Sequence, residues 1–235
     1  MTLSINSQHV IGPLGSDFWY IKVPPALVPK MARELDWNKI GRRVMIDALE
    51  GIILLMSPSS SHEVYAESSG TIVKKAGSVL QKQVRGMLGT RWKKPEDPEN
   101  VGLEADASFY IGENAHAWYN AAKTNGEKAV LAFVIQTPPD LVIEVEVTHF
   151  DQDKPTRYAR LGVPEMWRVN ARKGIENVQV EFLNLQAQDG PIPIQESRVL
   201  EGLMCSDLTR AYQLAYYGDN NELDDWLEAK ILPAT

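Results

Sequence analysis

Two rhythms of apolar and polar residues alternate along this chain, and the switches between them mark its elements. Arg43–Asp47 and Gly51–Met56 read as the two strands of a hairpin joined near Ala48–Gly51. After a turn at Ser57–Ser61, apolar residues at Ile72, Ala76, Val79, Leu80, Val84, Met87 and Leu88 keep close to the 3.6-residue period, which predicts one long helix. A polar, proline-containing loop (Lys93–Asn100) leads into a strand over Gly102–Tyr110. Residues 112–128, polar and rich in small side chains, read as an excursion. Beyond the Pro138–Pro139 turn comes a second strand, ending at Val147. Asp151–Leu161 follows as a helix that tolerates Pro155 only in its first turn and stops at Gly162 and Pro164. Met166–Val169 and Val178–Phe182 are further strands, Ser206–Leu214 an amphipathic helix and Asn221–Ile231 an acidic one. Hairpin, helix, strands, helix, strands is the order of an α/β domain built around a mixed sheet.

The chemistry lies in the strands at Gly102–Tyr110 and Pro138–Val147. Side chains alternate faces along a strand, so Glu104 and Asp106 share one face, as do Glu144 and Glu146. Acids alternating with apolar residues are the usual solvent face of an antiparallel strand, and for Glu104 and Asp106 that reading stands beside the functional one. Glu144 is different, because Leu141–Val147 is apolar on both faces apart from its acids. Carboxylates are rarely buried unless paired or holding a metal. If the two strands are neighbours, up to four acids converge, and a divalent cation between them is the simplest resolution.

Composition narrows the setting. A chain of 235 residues with 44% hydrophobic and 23% charged content is ordinary for a globular protein with a sizeable core. Its longest apolar runs fall far short of the ~20 residues of a membrane span. The first residues lack the pattern of a signal peptide, and a single cysteine, Cys205, fits a reducing cytoplasm; we therefore expect a cytoplasmic protein without a membrane anchor. One cysteine and four histidines without ligand spacing make zinc a poor fit. The net charge of −7 argues against non-specific coating of nucleic acid but not against an enzyme with basic groups confined to a cleft. Lys74, Lys75, Lys82, Arg85, Arg91, Lys93 and Lys94, with Trp92 among them, form the nearest thing to a basic patch; a solvated helix face followed by a basic turn explains them equally simply.

Glu104-Ala-Asp106, Pro139 through Glu146, Asp153-Lys154, Tyr158 and Gly162-Val-Pro-Glu-Met-Trp167 together resemble the Uma-two family of the PD-(D/E)xK nuclease superfamily, over about residues 43–214. The resemblance implies a restriction-endonuclease-like core, a mixed central β-sheet flanked by helices, with residues 1–42 as an extension packing on the core, 43–218 as the domain and 219–235 as an acidic C-terminal helix. It also implies a Mg²⁺-dependent site acting on DNA, Mn²⁺ being the alternative ion. Asp106 and Glu144 match the family's two metal-binding acids. Ala105 stands where proline is usual, and Glu146 stands where the superfamily carries lysine, which leaves Lys154 as the candidate replacement. Asp106, Glu144, Glu146 and Lys154 are thus the expected catalytic residues, with Glu63, His62 and Glu104 as accessories. For the first two accessories, a helix N-terminus that favours acids is the simpler explanation. The competing expectation is a non-catalytic nucleic-acid- or protein-binding module with a vestigial acidic cluster. A homodimer is expected, since cutting both strands of a duplex calls for two sites. Tyr212, Leu214, Tyr216, Tyr217, Leu223, Trp226 and Leu227 supply an aromatic-rich C-terminal segment for the interface or for closing the core.

Overall fold

The computed structural model describes residues 10–11, 18–34, 43–47, 49–56, 60–87, 90–92, 101–147 and 151–232. Its strands are β1 (Val10–Ile11), β2 (Phe18–Lys22), β3 (Arg43–Asp47), β4 (Ile52–Met56), β5 (Val84–Gly86), β6 (Arg91–Trp92), β7 (Val101–Glu104), β8 (Ala107–Ile111), β9 (Leu141–Glu146), β10 (Glu165–Asn170), β11 (Gln179–Asn184) and β12 (Ile192–Ile194). Its helices are α1 (Val28–Glu34), α2 (Ser60–Val79), α3 (Glu113–Gln136), α4 (Lys154–Leu161), α5 (Leu208–Tyr217) and α6 (Asn220–Ile231). The chain divides into two compact units, one of residues 1–59 and 91–104 and one of residues 60–90 and 105–235.

The first unit is built on a sheet of order β1-β2-β4-β3-β7-β6, antiparallel throughout, with Ile21, Val28, Met31, Ile46 and Ile53 buried together. The expected β3–β4 hairpin is there, and the buried Asp47 accepts a hydrogen bond from the Glu50 amide across its turn (3.1 Å). This hairpin shares its unit with β1, β2 and α1.

The second unit carries the mixed sheet, of order β12-β11-β10-β9-β8-β5. Only β9 and β10 run parallel, joined by the crossover through α4, and their apolar residues are buried because helices cover both faces. Ala107, Phe109, Leu141, Ile143, Val145, Trp167 and Val169, the odd-numbered positions, face α2, α5 and α6 in one core with Ile72, Val73, Ala76, Leu208, Tyr212, Leu223 and Leu227. The C-terminal segment thus closes this core, leaving Tyr216 and Tyr217 exposed. On the even-numbered face α3 lies against Tyr110, whose ring meets Phe133 edge-on at 5.1 Å. Among the described residues no helix is long and apolar enough to cross a membrane.

Three expected elements come out differently. The long helix ends at Val79 rather than running on through Leu88. Gln81 takes a left-handed conformation (φ 55°), and the amides of Gln81 and Lys82 close back onto Ser78 and Gly77, a Schellman stop with glutamine in the place of glycine. Val84 continues the helical period by coincidence and is already in β5, so near Gly77 that a Cβ there would lie 2.3 Å from Val84 Cγ2. Residues 113–136, read in part as an excursion, form α3, broken at Gly126 (φ 66°), and only Ala115 is fully buried. Such a helix leaves little apolar stripe to find. Finally, Gly102–Tyr110 is two strands: β7 ends at Glu104 in the first unit, and β8 begins at Ala107 in the second.

Candidate functional site

The acids are placed by strand register. Ala107 pairs with Ile143 and Ser108 with Val142, so continuing the antiparallel register by one residue sets Asp106 opposite Glu144. Alternation puts Glu144 and Glu146 on the same face, away from the main core. All three are buried, Asp106 to 3%, Glu144 to 1% and Glu146 to 6% exposure. Like charges directly opposite on a sheet repel, so partners must compensate.

Different partners serve each acid. Asp106 Oδ2 accepts the Val145 amide at 2.7 Å and lies 3.0 Å from Nε2 of His62, in the first turn of α2. Burial alone would raise the Asp106 carboxyl, but the hydrogen bond from His62, the Lys154 charge and the Val145 amide outweigh it and hold the group below the usual carboxylate range. Glu144 is gripped by α4: the Tyr158 hydroxyl donates to Oε1 at 2.5 Å and the Lys154 ammonium donates to Oε2. Burial, reinforced by the charge on Asp106, still pushes the Glu144 carboxyl up to about 7 against the pull of Lys154. Burial also opposes the charge on Lys154, but Glu144 and Asp106 more than restore it and hold the ammonium above its ordinary value. The two facing carboxyls are thus shifted in opposite directions, with the Lys154 ammonium seated on Glu144.

Glu146 takes its charge partner from the next strand, Arg168 on β10, whose Nε lies 3.4 Å from Oε1. Burial raises this carboxyl too, against Arg168 and Lys154. Its other oxygen, Oε2, is buried and has no hydrogen-bond partner among the described residues. Arg168 Nη1 also reaches Glu181 on β11 at 3.3 Å.

The structure therefore brings Asp106, Glu144, Glu146, Lys154 and His62 into one cluster. Glu63 is exposed at the start of α2, with Oε1 3.9 Å from His62 Nδ1. Glu104 does not share a strand face with Asp106; it ends β7 in the other unit, in register with Arg91. Of the basic patch, Lys93 and Lys94 lie outside the described residues, while Lys75 pairs with Asp224 and Lys82 with Glu201. Two contributors went unassigned from the sequence, Tyr158 and Arg168. Tyr158 is four residues after Lys154, which puts both on one helix face. Arg168 sits in an apolar strand, as Glu144 does, and the same alternation argument would have flagged it. Among the described residues no group of three or more His, Cys, Asp and Glu side chains is assembled as a ready cation cage.

With this geometry in hand, comparison with known proteins is informative. The sequence matches the model of the Uma2 family, described as “Putative restriction endonuclease”, over residues 32–214. Among solved structures it is similar to “a putative nuclease belonging to DUF820” from Anabaena variabilis, at 16% identity and a TM-score of 0.46, covering 80% of this chain and 92% of that one. No curated protein matches the sequence.

Proposed function

The chain belongs to the Uma2 family, and from that premise we propose that its second unit carries a Mg²⁺-dependent centre, served equally by Mn²⁺, that hydrolyses phosphodiester bonds of DNA. The observation that supports this most is the buried pair Asp106–Glu144 with the Lys154 ammonium seated on it. Lysine is missing two residues after Glu144, yet the first turn of α4 delivers one to the same carboxylate.

The donor set fits a hard cation. Asp106 and Glu144 offer carboxylate oxygens from adjacent strands, and the orphaned Oε2 of Glu146 is a buried acceptor in want of a partner. Mg²⁺ is commonly held by one or two carboxylates together with waters and substrate phosphate, so a three-acid cage is not required. When bound, the ion lowers the pKa of a coordinated water and neutralises charge on the scissile phosphate. The chain's own groups do the rest. His62 and the Val145 amide fix the Asp106 carboxylate. Lys154 places positive charge where the phosphorane develops negative charge. Glu146 Oε2 accepts a hydrogen bond from the attacking water, which orients it, and takes up its proton as the water oxygen bonds to phosphorus.

The second reading, a binding module without cutting activity, draws on Glu146 in the lysine position and on the absence of a preassembled cage among the described residues. Incubating supercoiled, linear and branched DNA with Mg²⁺ or Mn²⁺ separates the two. Cleavage that disappears in Asp106→Ala and Glu144→Ala supports the nuclease; DNA binding without cleavage in either metal supports the module. We extend the nuclease proposal to a homodimer, because one unit offers one centre for two strands. Light scattering at micromolar concentration tests that extension, and a monomer mass overturns it.

A further inference from the structure

Helix α4 presents two side chains to one carboxylate. Lys154 opens the helix and Tyr158 follows one turn later, on the same face. Lys154 donates to Oε2 of Glu144 and Tyr158 to Oε1, so both oxygens of this buried acid are engaged by a single eight-residue element. The two contacts differ in kind. Tyr158 is 1% exposed, pinned in the interior by its own ring, and its hydroxyl is neutral. Lys154 has a long, flexible stem, its side chain is 12% exposed, and it carries a charge that a metal cation would replace at Glu144.

We propose that Tyr158 is a positioning residue that permanently occupies Oε1 of Glu144, turning it into a carboxylate that offers only Oε2 outward, while Lys154 is the exchangeable counter-ion on that oxygen. The proposal rests on the nuclease reading. Groups that hydrogen-bond a ligating carboxylate hold its plane and rotamer, and their loss typically lowers metal affinity or activity by ~10–100-fold. A tethered ammonium on the ligating oxygen does the opposite, since a metal has to displace it. Two residues touching the same side chain from the same helix are therefore expected to shift metal affinity in opposite directions, which a merely structural role for α4 does not produce.

The test is calorimetric titration of the whole chain with Mn²⁺ alone, comparing wild type, Tyr158→Phe and Lys154→Met, with DNA-cleavage kinetics alongside. Tyr158→Phe is expected to weaken Mn²⁺ by ~10-fold or more, and to lower kcat while KM for DNA stays within about twofold. Lys154→Met is expected to lose cleavage but to bind Mn²⁺ at least as tightly as wild type. If wild type and Tyr158→Phe bind Mn²⁺ equally and cut equally, the positioning role is wrong while the nuclease reading stands. If wild type neither binds Mn²⁺ nor cuts, both fall together. Should Tyr158→Phe fail to fold, Lys154→Met carries the test, and a weaker Mn²⁺ affinity in that variant refutes the exchange on Oε2.

Discussion

Two buried carboxylate sites lie on neighbouring strands of the same sheet, and they are solved in opposite ways. Glu165, at the start of β10, is fully buried and takes three neutral donors at 2.7 Å: Trp167 Nε1 and the Ser197 hydroxyl on Oε1, and the Arg198 amide on Oε2. Every donor belongs to the fold around it, and together they tie the Ser197–Arg198 turn to the sheet. Glu144 and Asp106 each combine one neutral donor, the Tyr158 hydroxyl and the Val145 amide, with one ionisable partner, Lys154 and His62. Burial raises the carboxyls of both Glu165 and Glu144. Depth and titration alone thus do not distinguish structure from function; the nature of the partners does. A carboxylate closed off by neutral donors reads as a joint, whereas facing carboxylates with ionisable partners are the arrangement expected of a site.

Substitutions that isolate each cluster separate the two cases. The largest effect is expected for Asp106→Asn, which removes a facing charge while nearly preserving shape. DNA cleavage should fall by about a thousandfold, or ~4 kcal/mol of transition-state stabilisation, with a melting temperature lowered only slightly, since the partners of Asp106 favour its ionised form. Gel-based cleavage rates and thermal melts of one preparation read both. Glu165→Ala inverts the pattern: three donors, two of them on buried side chains, lose their acceptor, and urea denaturation should report a loss of ~3 kcal/mol, while cleavage per folded molecule is unchanged. Arg168→Met is intermediate, because it strips Glu146 of its charge partner in a place where that acid can neutralise itself by taking up a proton. A loss of ~1–2 kcal/mol by the same assay is expected, and a neutral result would remove Arg168 from the network.

The smallest effect is a pH slope. The raised carboxyl of Glu165 binds its proton more tightly folded than unfolded, so its contribution to stability is full below its ordinary 4.5 and is lost as pH rises through the raised value. Glu165→Gln should flatten the wild-type slope just above 4.5 by at most ~1.4 kcal/mol per pH unit, measured by urea melts in matched buffers. An identical slope in the two proteins would show that this acid keeps its unfolded affinity for protons.

Much of the centre was legible because strand alternation is a short-range rule. Glu144 in a run apolar on both faces had to be buried, and a buried acid asks for partners; Lys154 could be named because a lysine was missing nearby. What failed was longer range. Glu104 and Asp106 keep perfect alternation, yet the chain changes sheet between them at Ala105 and Asp106, and no local residue pattern announces that. The helix pattern overran because Val84, in β5, is apolar and also falls in helical phase. Helix α3 hid because Gly126 interrupts it and Leu131 and Ile135 are exposed, leaving no clean apolar face to read. Tyr158 was visible as a motif residue but not as a hydrogen-bond donor, since the partner oxygen belongs to a strand ten and more residues earlier.

We propose that Asp106 and Glu144 jointly hold a divalent ion where Lys154 now provides the positive charge. A crystal structure soaked in Mn²⁺, with anomalous scattering to locate the metal, tests it most directly. The expected result is an anomalous peak ligated by carboxylate oxygens of both acids, with the Lys154 ammonium moved off Oε2 of Glu144 and Tyr158 still on Oε1. Millimolar Mn²⁺ that leaves no peak between the acids, with Lys154 in place, would contradict it.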